Sequence, residues 1–338
     1  MDWEEINKIV IRNRITISCF RTKNNIINEY YNLGIIFSSA ESRALEYQKL
    51  FSGNRFDNSL LIKFKLTEYS NLRENNDSRN YKFLKKISKK APLIISDMSI
   101  GNIKENIYNI IMKIPEECFK PKSKWFLDMT GAPSVYPLSI LGFLKGIFCA
   151  PDIHLFNVSG RYIDKSNLIN SFTEGHREDI WVPFFIGEPD WKSPSLYIFL
   201  LGFEGNRALT IYKKCEPDFA EAIIADPGYQ RNYKSIAIKN NRYFLEEANI
   251  PEDEINTADV GNPIEVYEKL KQIVEKYKKK YEDINIVYVP IGPKPHALGA
   301  SISAIENETY SILYEIPNSY TLKEVERNEF VWLYKINF

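Results

Sequence analysis

Short apolar runs alternate with longer stretches of helical periodicity along most of this chain. Continuous apolar runs of about four to eight residues are typical of strands that are buried on both faces. The longer amphipathic stretches between them are typical of helices that pack on a sheet. The alternation therefore predicts βαβ units and a mainly parallel sheet.

The first half of the sequence resembles the second half in several blocks that occur in the same order. Gly101-Asn102 and Gly261-Asn262 are 160 positions apart, and so are Pro133 and Pro293. The matched segments are 15–32 with 196–214, 34–42 with 221–229, 99–114 with 259–273, 124–144 with 285–305, and 152–160 with 309–317. The alternative is that any two α/β segments share such coarse patterns, but the common order of the blocks, and the single offset that two of them share, favour duplication.

These patterns predict an α/β protein of two tandem Rossmann-like repeats, each a mainly parallel sheet with helices on both faces. We expect the N-terminal repeat to cover 1–163 and the C-terminal repeat to cover 194–338. The segment between them, 164–193, is polar and proline-rich, and we interpret it as a linker. A length of 338 residues fits two domains.

Composition narrows the classes of function. The 44 Lys and Arg residues balance the 44 Asp and Glu residues, so the formal net charge is zero. A general nucleic-acid or membrane-surface binder would need a basic surplus. The four cysteines and three histidines are scattered, which argues against a metal site and against a disulfide framework. We predict no metal and no cofactor.

The N-terminus lacks the apolar core of a signal peptide, and the longest apolar stretch, 138–150, is interrupted by Lys145. That stretch is shorter than the roughly 20 residues that cross a bilayer. We expect a cytoplasmic protein without a membrane partner.

Ligands of open parallel sheets bind beyond the carboxyl ends of the strands, so the loops there hold the candidate residues. After the strand at 124–128 come Asp128, Thr130, Gly131 and Ser134. Gly131 permits close backbone approach, and the hydroxyls could contact a ligand. The alternative is that Asp128 and Thr130 only cap the following helix.

The loop after the strand at 285–290 is the most specific motif in the chain. It contains Gly292, Lys294 and His296, with Lys294 held between two prolines. A cation on a stiff loop at a helix N-terminus suits a phosphate or a carboxylate. The alternative is a structural His296 in the helix.

Other strand-end loops supply further polar candidates. Arg21 occupies the first-half position that we matched to the loop of Arg207, and Asp226 also has an ordinary turn interpretation because Pro and Gly follow it. These candidates are Glu204, Asn206, Arg207, Arg21, Ser39 and Asp226.

The segment FLDMTGAPSVYPLSILGFL resembles the strand-4 signature of CRISPR-associated Rossmann-fold (CARF) sensor domains, and VPIGPKPHALGA is similar to a variant of the same loop. The resemblance covers some 15–20 residues in each half. It departs from the family pattern at Ala132-Pro133, where a basic residue is typical, and in the second half, which lacks the leading Asp. It implies a nucleotide messenger as ligand and a prokaryotic antiviral setting.

Three functions follow from these observations. The first is a sensor or regulatory protein that binds a nucleotide or another phosphate-bearing small ligand, with an effector protein as partner and a homodimer as one form of assembly. The second is an enzyme that acts on a nucleotide, for instance by phosphodiester cleavage of a cyclic messenger, with His296 as the catalytic acid. The third is a non-catalytic assembly subunit.

Overall fold

The computed structural model describes residues 3–23, 26–64, 70–98, 101–147, 149–162, 173–320 and 325–338. They form a mixed α/β fold with two main sheets, most of whose strand pairs are parallel. The predicted fold class is confirmed to that extent. The chain divides into two compact units, Met1–Ile163 with Glu324–Phe338, and Asp164–Lys323.

The described part of the first unit forms an eight-stranded sheet with helices between the parallel strands. Its strands are β1 (Glu4–Ile11), β2 (Ile15–Thr22), β3 (Tyr31–Phe37), β4 (Phe56–Phe64), β5 (Leu93–Met98), β6 (Lys124–Asp128), β7 (Asp152–Tyr162) and, from the end of the chain, β16 (Val325–Asn337). Its helices are α1 (Ser70–Ile87), α2 (Ile103–Met112) and α3 (Val135–Lys145), with 3₁₀ helices at Ser42–Leu50 and Glu116–Phe119.

The strand order of this sheet is β1-β2-β16-β7-β6-β3-β4-β5. The five strands from β7 to β5 are mutually parallel, and β16 pairs antiparallel with both β7 and β2. From β3 the chain moves outward to β4 and β5, then crosses back to β6 and β7. The order therefore reverses between β3 and β6, where ligand crevices form in open α/β sheets.

The sequences of β3 and β6 explain why these strands occupy the centre. Both are almost continuously buried, as expected for parallel strands that are covered on both faces. Aromatic rings fill one face: the centroids of Phe51 and Phe126 are 5.0 Å apart, and those of Tyr31 and Phe126 are 5.5 Å apart. This edge-to-face packing fixes the centre of the sheet.

The second unit forms a six-stranded sheet in the order β12-β11-β10-β13-β14-β9. Its strands are β9 (Glu178–Trp181), β10 (Ser195–Leu201), β11 (Phe219–Ala225), β12 (Asn256–Ala258), β13 (Asn285–Pro290) and β14 (Ser311–Ile316), with the short pair β8 (Thr173–Glu174) and β15 (Ser319–Tyr320) apart from it. Its helices are α4 (Gly205–Cys215), α5 (Tyr233–Asn240), α6 (Arg242–Glu247), α7 (Pro263–Lys278) and α8 (Lys294–Glu306), with a 3₁₀ turn at Glu252–Glu254.

The two units share one strand order. The run β5-β4-β3-β6-β7 in the first corresponds to β12-β11-β10-β13-β14 in the second, and each run has an antiparallel neighbour beyond its last strand. The strand order thus matches segment 124–144 with 285–305, and 152–160 with 309–317, as the sequence predicted.

The two earlier matches, 15–32 with 196–214 and 34–42 with 221–229, are wrong. β2 pairs antiparallel with both of its neighbours, whereas β10 lies between two parallel strands, so the counterpart of β10 is β3. An apolar run shows that a strand is present but not which strands flank it.

The predicted C-terminal repeat, 194–338, also differs from the structure. β16 belongs to the first sheet, where it is inserted between β2 and β7, because its apolar positions Val331, Leu333 and Ile336 are buried there. The predicted linker, 164–193, is not only a connection, since β8 and β9 pair with β15 and β14. Residues 164–172 of that segment lie outside the described residues.

Candidate functional site

The loops that follow β3 and β6 meet at the point where the strand order of the first sheet reverses. A Cβ atom at Gly131 would lie 2.8 Å from the Cβ of Ser39 and 2.9 Å from the carbonyl oxygen of Phe37. Only glycine allows this approach without a shift of the neighbouring backbone. The structure therefore brings together Ser39 and Gly131, two of the predicted site residues.

Asp128 and Thr130 stabilise the loop after β6 on the side that faces the core. Both side chains are buried. The Oδ1 of Asp128 accepts a hydrogen bond from the backbone N–H of Thr130 at 2.9 Å, and the Oγ1 of Thr130 accepts one from the N–H of Val158 in β7 at 3.0 Å. They hold the shape of the loop, and neither of these bonds caps α3, which was the alternative that the sequence left open.

Ser134 occupies the N-cap position of α3. Its side chain is half-buried, and it makes no capping hydrogen bond to the helix. The first turn of α3 contains no acidic residue that would offset the positive end of the helix dipole. Ser39, Gly131 and Ser134 are all partly accessible to solvent, and we refer to these three residues as the rim.

Helix α1 adds polar groups beside the rim that the sequence analysis did not select. Asn76 donates from Nδ2 to the carbonyl oxygen of Ser39 at 2.9 Å. Asp77 accepts from the hydroxyl of Ser38 and lies 3.2 Å from the Nζ of Lys63. These contacts attach α1 to the carboxyl ends of β3 and β4.

Arg73, one helical turn before Asp77, is 6% exposed, and neither of its terminal nitrogens has a hydrogen-bond partner among the described residues. Burial lowers the pKa of this guanidinium, while the charge of Asp77 acts in the opposite direction. The signal that could have found these residues is the spacing of Arg73, Asn76 and Asp77, which puts polar side chains on the sheet-facing side of α1.

Arg21 is the next-to-last residue of β2, at the same edge of the sheet, but it is not part of the rim. β16 and β7 lie between β2 and β6, which separates the two strands by roughly 14 Å at the usual strand spacing. The Nε of Arg21 is 2.8 Å from Glu4, and its guanidinium lies 4.8 Å from the ring centre of Phe330. The prediction that Arg21 is equivalent to Arg207 is wrong because β2 is not the counterpart of β10.

The position that corresponds to Arg207 is held by Arg43. The Nη1 of Arg43 donates to the carbonyl oxygen of Val158 in β7 at 2.7 Å, and its Nε is 2.5 Å from Glu41. The Nη2 of Arg207 likewise donates to the carbonyl oxygen of Glu315 in β14 at 2.6 Å. Both arginines join the loop after the first parallel strand to the last parallel strand of their own sheet.

Glu204 and Arg207 form an ion pair with each other and do not face an open crevice. The Nη1 of Arg207 is 3.0 Å from the Oε2 of Glu204, and its Nε donates to the carboxylate of Glu315, whose side chain is 1% exposed. Asn206, beside them, is exposed, and its carbonyl oxygen accepts from Thr210. Two of the three predicted residues of this loop therefore belong to a buried ion-pair network.

The strand ends of the second sheet are also closely packed at the reversal point. A Cβ atom at Gly292 would lie 2.6 Å and 2.8 Å from the carbonyl oxygens of Leu201 and Leu200. Gly292 is thus required for contact between two backbones, whereas the sequence analysis selected it as a candidate ligand-binding residue. Lys294 begins α8 beside it and is half-buried.

His296 is completely buried in the second unit. Its Nε2 lies 3.2 Å from the carbonyl oxygen of Asp259, and its Nδ1 has no hydrogen-bond partner among the described residues. Burial lowers its pKa to about 4, so the imidazole is uncharged at neutral pH. The geometry therefore does not support the catalytic role and fits the structural alternative.

Asp226 follows β11, and its peptide bond to Pro227 is cis. Its Oδ2 is 2.8 Å from the Nζ of Lys234, and both side chains are about two-fifths exposed. This surface ion pair lies at the carboxyl end of β11, the strand next to β10 on the side opposite β13. Within the described part of the chain, no three His, Cys, Asp or Glu side chains are grouped as a metal site requires.

No family model matches this sequence, and no curated protein does. Among solved structures, the chain is similar to the cytoplasmic domain of a prokaryotic cation chloride cotransporter, with 11% identity over 85% of this chain and 96% of that one, at a TM-score of 0.24. It is also similar to a putative universal stress protein from Pseudomonas aeruginosa, with 8% identity over 85% and 94% of the two chains, at a TM-score of 0.24. Scores this low carry no argument about function.

None of the helices in the described ranges combines the length and the apolar character that a membrane span requires.

Proposed function

We propose that this protein is a sensor or regulatory protein whose N-terminal unit binds a nucleotide or another phosphate-bearing ligand at the rim. The observation that carries the proposal is the contact between Ser39 and Gly131 at the strand-order reversal of the first sheet. This contact joins two loops that the sequence selected independently. It lies where ligands bind in sheets of this topology.

The chemistry of the rim supports an anionic ligand. Ser134 offers a hydroxyl at the start of the 11-residue helix α3, where free backbone N–H groups and the helix dipole favour negative charge. Asp128 and Thr130 are buried and hydrogen-bonded, one within the loop and the other to β7, so they would preorganise the rim rather than contact the ligand.

The second unit favours a different role. Its corresponding loop is closed by the ion pairs that Arg207 makes with Glu204 and Glu315. The buried His296 is not placed to protonate a leaving group, so binding is better supported than catalysis. We propose that this unit is a Rossmann-like duplicate of the first that has kept its strand order and lost its ligand site.

The biological setting that we propose rests on the resemblance to CARF domains. It places the protein in the cytoplasm of a prokaryote, in antiviral defence, with an effector protein as partner. The shared strand order of the two units supports the tandem Rossmann-like interpretation on which the resemblance depends.

Calorimetry with a panel of nucleotides and short cyclic oligonucleotides tests the proposal. We expect one class to bind, and Ser134→Ala to weaken its binding by about three- to tenfold, the effect of losing one neutral hydrogen bond. Ser235→Ala, a matched change at an exposed position in the second unit, should leave the affinity unchanged.

Two results would contradict the proposal. If no nucleotide binds, the rim has no ligand of this class. If a bound nucleotide is converted to product during the measurement, the protein is an enzyme and the sensor function is wrong. Recovery of the ligand unchanged, checked by chromatography, is the expected outcome.

A further inference from the structure

Helix α1 carries charged and amide side chains on the face that it turns toward the sheet. Residues 73, 76, 77 and 80 recur at the spacing of one helix face, and the same face continues with Leu84 and Ile87. The C-terminal half of this face is apolar and packs in the core around Phe56. The N-terminal half is polar, although it is largely buried as well.

Most of these polar side chains have partners that explain their burial. Asn80 accepts from the hydroxyl of Tyr47 at 2.9 Å. Asn76 and Asp77 bind Ser39 and Ser38 at the end of β3. Each of these three side chains thus makes at least one hydrogen bond, as is general for buried polar groups, although the Nδ2 of Asn80 has no partner among the described residues.

Arg73 departs from that rule. Its guanidinium is withdrawn from water, yet neither of its terminal nitrogens makes a hydrogen bond within the described residues. Asp77, the carboxylate that acts on it electrostatically, is also shared with Lys63. These three side chains together carry one excess positive charge. A buried charge without a full partner is costly, and an anion would remove that cost.

The position of Arg73 indicates where the anion would lie. Asp77 contacts the end of β3, and Arg73 is four residues earlier, about 6 Å further along the helix axis. Helical side chains lean toward the N-terminus, so Arg73 extends beyond the strand ends toward the first turn of α1. That turn contains no acidic residue, so no carboxylate within it offsets the positive end of the helix dipole.

We propose that Arg73, together with the N-terminus of the 18-residue helix α1, is the receptor for a phosphate group of the ligand. The inference rests on the proposed function, because it places that phosphate beside the rim through the Asn76 contact to Ser39. A guanidinium presents parallel N–H donors to two oxygens of one phosphate, which supplies geometric selectivity as well as charge.

The test compares Arg73→Met with Arg79→Met, the same change at an exposed position on the same helix. Melting of the full chain is followed in phosphate-free buffer, then with inorganic phosphate, with adenosine 5′-monophosphate, and with adenosine. For the wild type and Arg79→Met we expect both phosphate compounds to raise the melting temperature. Adenosine, which has no phosphate, should not raise it.

Arg73→Met should behave in the opposite way. In phosphate-free buffer we expect it to melt at the wild-type temperature or higher, because the substitution removes an incompletely paired buried charge. Phosphate should no longer raise its melting temperature. The affinity of any nucleotide found by calorimetry should fall by about ten- to a hundredfold, as expected when a charged hydrogen bond is lost.

The results separate the two proposals. If no nucleotide binds but inorganic phosphate protects the wild type and not Arg73→Met, the anion receptor stands and the nucleotide ligand is wrong. If a nucleotide binds equally to both proteins, the proposed function stands and the role of Arg73 is wrong. Failure of Arg73→Met to fold in phosphate-free buffer would also overturn the inference, because it would show that the protein itself pairs the guanidinium.

Discussion

The carboxyl edges of the two sheets share one strand order, but they differ in how completely their buried charges are paired. In each, an arginine after the first parallel strand donates to a carbonyl oxygen of the last, Arg43 to Val158 and Arg207 to Glu315. Arg207 is also balanced by two carboxylates, and its loop is closed. The first edge keeps an additional buried cation, Arg73, whose terminal nitrogens lack hydrogen bonds within the described residues.

The difference shows how one architecture can hold a structural edge and a binding edge. An edge whose buried charges are all paired within the protein is stable, but it has no unpaired charge with which to bind a ligand. Leaving one buried cation incompletely paired lowers stability until an anion arrives, and binding then restores it. The same reasoning explains why strained or unsatisfied groups concentrate at functional sites.

The largest expected effect comes from breaking the structural edge. Arg207→Met leaves the buried Glu315 carboxylate without its main partner, and we expect a loss of about 3–5 kcal/mol in the free energy of unfolding. Arg43→Met loses a more exposed pair with Glu41 and one backbone contact, so we expect a loss of about 1–2 kcal/mol. Urea unfolding of the full-length variants measures both.

A double variant serves as the control for that comparison. Arg207→Met combined with Glu315→Leu removes the carboxylate that was left unpaired, so part of the lost stability should return. Equal losses for the Arg43 and Arg207 variants would show that the two edges do not differ in how they use these arginines.

The next effect in size is a loss of stability in acid that the buried His296 of the second unit causes. The pKa of His296 is about 4 in the folded protein, against an ordinary value near 6.5. Between these values the unfolded chain binds a proton that the folded chain does not, so stability falls as the pH falls from 6.5 to 4. The expected loss is about 3 kcal/mol across that window.

His296→Leu should flatten this dependence by that amount, measured as unfolding free energy against pH. His154 in the first unit has the same burial-lowered pKa of about 4 and keeps its own contribution. An unchanged acid slope in His296→Leu would mean that the second unit opens before this histidine titrates.

The smallest of these effects concerns the glycines at the two reversal points. Gly292→Ala would place a methyl group against two backbone carbonyls, whereas Gly131→Ala would meet the Ser39 side chain and one carbonyl. We expect losses of about 2–3 kcal/mol and about 1–2 kcal/mol in unfolding free energy. Gly146→Ala, whose nearest atom would be 3.5 Å away, is the control and should change stability little. A neutral Gly292→Ala would show that β10 and β13 can separate freely.

Parts of this architecture could be predicted from the sequence because their signals are local. The β6–α3 and β13–α8 segments each place a glycine and a proline between an apolar run and a helix, and turn chemistry of that kind survives in any tertiary context. Gly131 and Ser39 were selected for their residue types and lie together in the structure.

The strand pairing and the buried polar residues could not be predicted, because they depend on contacts between distant parts of the chain. The apolar run of β2 was matched to β10 because pairing partners are not encoded in hydrophobicity, and this error placed Arg21 at a site that Arg43 occupies. The buried state of His296 follows from the packing of α8, which has no single-residue signature. Arg73 went unnoticed because a polar residue in an amphipathic helix is usually on its exposed face.

The position of β16 has a consequence for the order of events during synthesis. The strands on either side of it, β2 and β7, are made before the second unit, but β16 emerges only after Asp164–Lys323 has been translated. The second unit is therefore an insertion in the first, and it can finish folding while the sheet around β7 still lacks a neighbour. Until β16 leaves the ribosome, the edges of β2 and β7 are open to pairing with other chains, and a chaperone or rapid translation of β16 would protect them.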